Sequence, residues 1–279
     1  MDSLRSIFHT CLPWVIKVHI ALYGTSLVAF WVAILTPKGG RIHVFFGRLF
    51  VWCVYGALAL ALYPMSYKLV RPFLTDELAG QSLLERASQL SRLHIFLTYG
   101  WVLTLASIRQ GVRAVQTRHD PAAIRTPFHI ALGYLAIAAS FALVAAALAL
   151  QEPFDSLLFM LSPVGCWLGW TMLRFIRHPG REHWWYVHLR SMLTTGILLH
   201  VALLAFILMQ RNLYPQSLQG LLLFWVVLPV AALICGYLWS RRYVNRLGRL
   251  PTADAAVVRN CVTPRETEAA QDFVKTSGQ

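Results

Sequence analysis

The sequence predicts an all-α protein, a polytopic membrane helix bundle of about seven transmembrane helices, and three observations carry that reading. Hydrophobic residues make up 57% of the 279 positions and charged residues only 13%, a balance outside that of ordinary water-soluble domains. Seven windows run for about 20 mostly apolar residues, the length an α-helix needs to cross the hydrocarbon core. Lysine and arginine are also divided very unevenly between the two sets of connections those windows define.

The first span, 14–36, reads as a retained helix. Lys17 interrupts its apolar run, and Thr36-Pro37-Lys38-Gly39 lacks the small residues of a signal-peptide cleavage site. Gly39-Gly40 permits a tight turn into the second span, 44–66. The third, 91–109, is the weakest, because Arg92 and His94 sit at one end and Thr98, Thr104 and Ser107 dilute it; a six-span reading without it stays open. The fourth, 127–149, has a written-out start: Thr126 is a good N-cap and Pro127 suits the first helical position. Spans 156–176, 184–209 and 220–240 follow. Pro163 and Pro229 are expected to kink the fifth and seventh. These helices make a bundle over 1–240. Beyond it, 241–279 begins with a basic juxtamembrane cluster of Arg241, Arg242, Arg246 and Arg249 and continues as a polar tail, expected to be disordered and cytoplasmic.

With seven spans, the 37–43, 110–126 and 177–183 connections, their helix ends and the tail hold 18 of the 25 Lys and Arg residues. The positive-inside rule places that side in the cytoplasm, with the N-terminus outside, and an inner (plasma) membrane location is expected. The formal net charge of +13 is then a topological signal and calls for no nucleic-acid partner; the partner it implies is the lipid bilayer. Five cysteines, at 11, 53, 166, 235 and 261, show no C-x-x-C spacing and suggest neither a disulfide framework nor a thiolate metal site.

Every Asp and Glu lies in a loop, a terminus or the tail, which weakens carboxylate-dependent proton transport and metallohydrolysis alike. Titratable chemistry within the spans falls mainly to histidine, and the topology sorts six of these into two tiers. His43, His129 and His188 each begin a helix that enters from the basic side. Helix N-termini favour neutral imidazole and nearby anions. Lys38, Arg41, Arg48 and Arg190 add fixed positive charge nearby. His19, His94 and His200 form the outer tier. His188 and His200 share one helix but lie about 18 Å apart along it and about 120° apart around it, so two stacked haems on one helix face are not encoded. For the inner tier a single haem b is the leading cofactor candidate. His43 and His188 would be its ligands, if that iron or another metal is bound, with Lys38, Arg41 and Arg48 neutralising its acidic groups. Met192, one turn after His188, is either a soft ligand or packing. Each histidine also has a plain reading, bonding a carbonyl or reaching toward the interface.

The stretch "GTSLVAFWVAILTPKGGRIHVFFGRLFVW", together with His19 before it, resembles the opening of a family of bacterial predicted integral-membrane proteins of unknown function: His19, Lys38, Gly39, His43 and Gly47 match its pattern. "REHWWYVHLRSMLTTGILLHVALLAF" is similar to the closing element of that family through Trp184, Trp185, His188 and Met192. The two stretches cover roughly a quarter of the chain, which departs from the family by a seventh span and a tail. The resemblance brings no established activity, and whether the chain is an enzyme stays open. Three function classes follow from the residues: a haem- or metal-bearing redox protein, a binding or transport protein for an anionic or amphiphilic small molecule, and a non-catalytic accessory membrane subunit.

Overall fold

A computed structural model of the chain describes residues 2–74, 92–150, 155–179 and 183–210, with isolated positions at 231, 234, 236 and 238. The described residues form six helices and no strand: α1 (Asp2–Leu35), α2 (Arg41–Leu74), α3 (Arg92–Gln116), α4 (Pro127–Leu150), α5 (Asp155–Arg177) and α6 (Trp184–Gln210), with a 3-10 turn at Pro121–Ile124. They overlap the first six predicted spans. In the seventh, 220–240, Ala231, Ile234, Gly236 and Leu238 are helical; the rest of it and 241–279 lie outside the described residues. The chain divides into two units, Met1–Ile234 and Cys235–Gln279, and α1 to α6 all belong to the first.

Among the described residues, four segments are long and apolar enough to cross a membrane: Leu12–Leu35, Arg41–Ser66, Pro127–Leu148 and Trp184–Leu204. Their outer faces carry exposed Trp14, Trp31, Trp52, Phe128 and Phe141, side chains suited to lipid and its interface. The weakest predicted span has the opposite surroundings. Helix α3 packs against α2, α4, α5 and α6, while α1 pairs with α2 and α4 with α5. Tyr99, Thr104, Ser107 and Gln110 of α3 are all buried. Its low apolarity follows from this placement, because a helix walled in by protein meets polar partners instead of hydrocarbon.

The turn between α1 and α2 is closed by Gly39 at φ 79°, a left-handed conformation costly for residues with a Cβ, and by Gly40 N–H donating to the Pro37 carbonyl at 3.2 Å. Helices α4 and α5 approach through small residues. A Cβ on Gly169 would lie 2.5 Å from the Gly133 carbonyl oxygen, and one on Gly165 would lie 2.9 Å from that of Ala136, so only glycine permits this spacing. Pro163 lies within α5 and offers no N–H to the Phe159 carbonyl, which accepts instead from Ser162 Oγ at 2.7 Å. Tyr99 of α3 reaches this part of the helix: its hydroxyl donates toward the Leu161 and Ser162 carbonyls at 3.0 and 3.2 Å and accepts from Gly165 N–H at 2.8 Å. The turn around Pro163 thus meets a neighbouring hydroxyl.

Candidate functional site

The C-terminal ends of α1, α3 and α5 meet the N-terminal ends of α2, α4 and α6, which brings the three basic connections to one end of the bundle. His43 lies in the first turn of α2, and its Nδ1 is 2.9 Å from the Ala33 carbonyl of α1. His188 lies in the second turn of α6, with Nδ1 3.0 Å from the Gly111 carbonyl of α3. A carbonyl only accepts, so both rings carry their proton on Nδ1 and keep a lone pair on Nε2. His43 and Lys38 both lie within electrostatic range of the His188 ring. The outer-tier His19 repeats the device, with Nδ1 3.0 Å from the Ala57 carbonyl of α2.

The cations predicted around His43 separate into two kinds. Lys38 Nζ donates to the Ala33 and Ile34 carbonyls at 3.0 and 2.6 Å and so caps α1, where the last carbonyls lack N–H partners and the macrodipole is negative. Burial of its ammonium holds the Lys38 pKa below the ordinary lysine value. Arg41 and Arg48 are exposed; they sit roughly 160° and 140° around α2 from His43, on the side that carries exposed Phe45 and Trp52. Met192 has a packing role, since its side chain lies over Gly111, where an added Cβ would come within 2.6 Å of its terminal methyl carbon.

His129 lies in a different environment. It is fully buried and its Nε2 is 2.7 Å from Gln110 Oε1 of α3, while His188 engages the backbone of the next residue, Gly111. The guanidinium groups of Arg109 and Arg113 act on the His129 ring, and Arg109 also lies 4.6 Å from the Phe128 ring centroid. At the other end of the bundle, His94 lines a cavity of about 180 Å³ with Met65, Thr98 and Tyr99. His200 accepts from Trp31 Nε1 at 3.1 Å and places its own Nδ1 2.7 Å from the Gly196 carbonyl. Among the described residues, no three His, Cys, Asp or Glu side chains come together as a metal site.

No family model, curated protein or solved structure matches the chain. Function is therefore argued from these residues. The sequence reading brought His43, His129 and His188 to one end, and the structure divides them across α3: His43 with His188, and His129 with Gln110. It also adds Arg109 and Arg113, which the sequence reading counted only toward topology, and Gln110, which it did not single out. The signal for them was the "SIRQGVR" run, where Arg109 and Arg113 stand four residues apart on one helix face with an amide between them.

Proposed function

We propose that the chain is a seven-span inner-membrane protein, N-terminus outside and tail cytoplasmic, that carries electrons through a b-type haem held by His43 and His188. The observation that carries this reading is that two imidazoles within electrostatic range of one another each commit Nδ1–H to a backbone carbonyl of a neighbouring helix, which leaves Nε2 of each without that bond. Metal-ligating histidines are oriented in this way. Two such donors without a third among the described residues suit an iron whose other positions are filled by a macrocycle better than a bare ion. Gly47, one turn after His43, adds clear surface, for a Cβ there would meet nothing within 4 Å.

When bound, the haem supplies reversible one-electron transfer. The Ala33 and Gly111 carbonyls fix the ring planes and raise the basicity of each Nε2. Lys38 is a cation within electrostatic range of His188, and its place on the α1 carbonyls also positions the turn that carries His43.

The spectrum of the detergent-purified protein tests the reading. A Soret band with reducible α and β bands is expected. His43→Ala and His188→Ala should each abolish it while the protein stays in the membrane, and His94→Ala should not. A second reading, the accessory subunit, is favoured by one observation: His43 and Lys38 already serve as caps of α1, a sufficient structural use. A colourless, ligand-free preparation with a co-purifying partner would replace the first reading with that one. A colourless protein retaining a stoichiometric anionic metabolite or lipid would instead select binding or transport.

A further inference from the structure

Five buried side-chain nitrogen or oxygen atoms among the described residues have no hydrogen-bond partner: Ser107 Oγ, Arg109 Nε, Gln110 Nε2, Arg113 Nε and His129 Nδ1. Four of the five belong to one cluster where α3 faces the start of α4, and buried polar groups without partners are rare in native proteins because each costs free energy. We propose that the Arg109, Gln110, Arg113 and His129 cluster is a binding site for a phosphate oxyanion. This inference is independent of the His43 and His188 reading.

The donor chemistry selects the ligand. Gln110 is 2% exposed and His129 is fully buried. With Gln110 Oε1 accepting from His129 Nε2–H, the amide nitrogen of Gln110 keeps two N–H donors. Arg109 and Arg113 each add an Nε–H. Their remaining guanidinium atoms are already engaged: Arg113 donates to Gln116 Oε1 and to the Ala123 carbonyl, and Arg109 lies over Phe128 and against Tyr55. His129 Nδ1 takes the acid proton of a hydrogen phosphate or, when the ring is protonated, becomes a further donor. Donors arriving from two helices need several acceptor oxygens in different directions, which a phosphate presents.

A bound water would satisfy some of these atoms but none of the charge. No carboxylate pairs with Arg109 or Arg113 among the described residues. Asp120, in the loop after α3, is exposed and accepts instead from Ala122 N–H at 3.1 Å. An oxyanion answers both deficits, and His129 stands at the third position of α4, where the macrodipole adds positive potential. Phe128, 52% exposed, lies beside Arg109 at the outer edge of the cluster, so a free phosphate or a lipid headgroup would enter past this side chain.

The experiment uses the full chain in phosphatidylcholine nanodiscs. Inorganic phosphate is titrated by isothermal calorimetry, and retention of phosphatidylglycerol over phosphatidylcholine is read by native mass spectrometry. Saturable one-to-one binding of inorganic phosphate identifies a free anion. Selective retention of one phosphatidylglycerol, displaced by phosphate, identifies a headgroup, and either result supports the site. Arg113→Gln and Gln110→Leu should each weaken binding about tenfold, the scale of one charge-assisted hydrogen bond. Arg109→Lys, which keeps the charge but removes the Nε–H, should weaken it measurably. Arg174→Gln, which removes a cation at the same end of the bundle, should not. Binding that survives both Arg113→Gln and Gln110→Leu overturns the proposal. So does a wild-type protein that takes up no phosphate and shows no preference for phosphatidylglycerol, a result that needs no variant to fold and leaves water as the occupant.

Discussion

Removing the Tyr99 hydroxyl should destabilise the bundle around Pro163. Tyr99 is 6% exposed. Its hydroxyl bridges the Leu161 carbonyl and the Gly165 N–H, two groups that a regular helical turn would join directly. Tyr99→Phe keeps the ring and deletes one donated and one accepted bond, each contributing about 1 kcal/mol net; a Gly165 N–H left unmatched in a buried place adds about 1–3 kcal/mol. The expected loss is therefore about 3–5 kcal/mol. The assay is unfolding of the purified protein in mixed micelles by titration with a denaturing detergent, with amide exchange at Gly165 as a local probe. The second arm is Pro163→Ala, which restores an N–H facing the Phe159 carbonyl and removes the ring from the preceding turn, so that α5 can regularise around Tyr99. Tyr99→Phe should cost less in that background, with a coupling of at least about 1 kcal/mol for residues in direct contact. A Tyr99→Phe loss below about 0.5 kcal/mol, or one that is unchanged by Pro163→Ala, would refute the reasoning.

Gly169→Ala should destabilise by about 1–3 kcal/mol, since its methyl would be forced against the rigid Gly133 backbone; the same detergent titration reads it, and a neutral result would show that α4 and α5 can part without cost. Gly39→Ala should cost about 1 kcal/mol through its positive φ, with Gly40→Ala as the comparison at a neighbouring position of ordinary φ. Trp101→Phe should remove the 2.8 Å bond from Nε1 to the Leu58 carbonyl and lower stability by about 1 kcal/mol, checked by a thermal shift. Reporter fusions after Arg118 and after Gln279 should both report cytoplasm and one after Asp155 the periplasm; a reversed set sinks the proposed orientation.

The helical character of 14–36, 44–66, 127–149 and 184–209 was legible because these segments face outward over much of their length, and mean apolarity records that exposure. The rank of 91–109 was not legible. Hydropathy records how far a segment favours lipid and carries no information on shielding by neighbours, so Thr104 and Ser107 looked like defects when they are marks of a central position. The turn at Gly39-Gly40 and the start of α4 at Thr126-Pro127 were readable, since both depend on local backbone chemistry. The placement of His43, His129 and His188 at one end followed from topology alone. Their division into two environments did not, because it depends on which face of α3 each ring meets. Arg109 and Arg113 were hidden by their own plausibility: a cation near a helix end is expected from charge bias, and only the neighbouring His129 and Gln110 show these two turned into the protein.

The walled-in position of α3 also constrains how the protein is made. A segment with Arg109 and Arg113 in its last turns and Thr98, Thr104, Ser107 and Gln110 along it partitions less readily into lipid by itself than its apolar neighbours do. Its neighbours on the C-terminal side, α4 and α6, are synthesised later. During biogenesis α3 therefore has only α1 and α2 to shelter it, and it must either wait at the translocon for its later partners or enter the bilayer together with them. For this helix, insertion and folding are a single event.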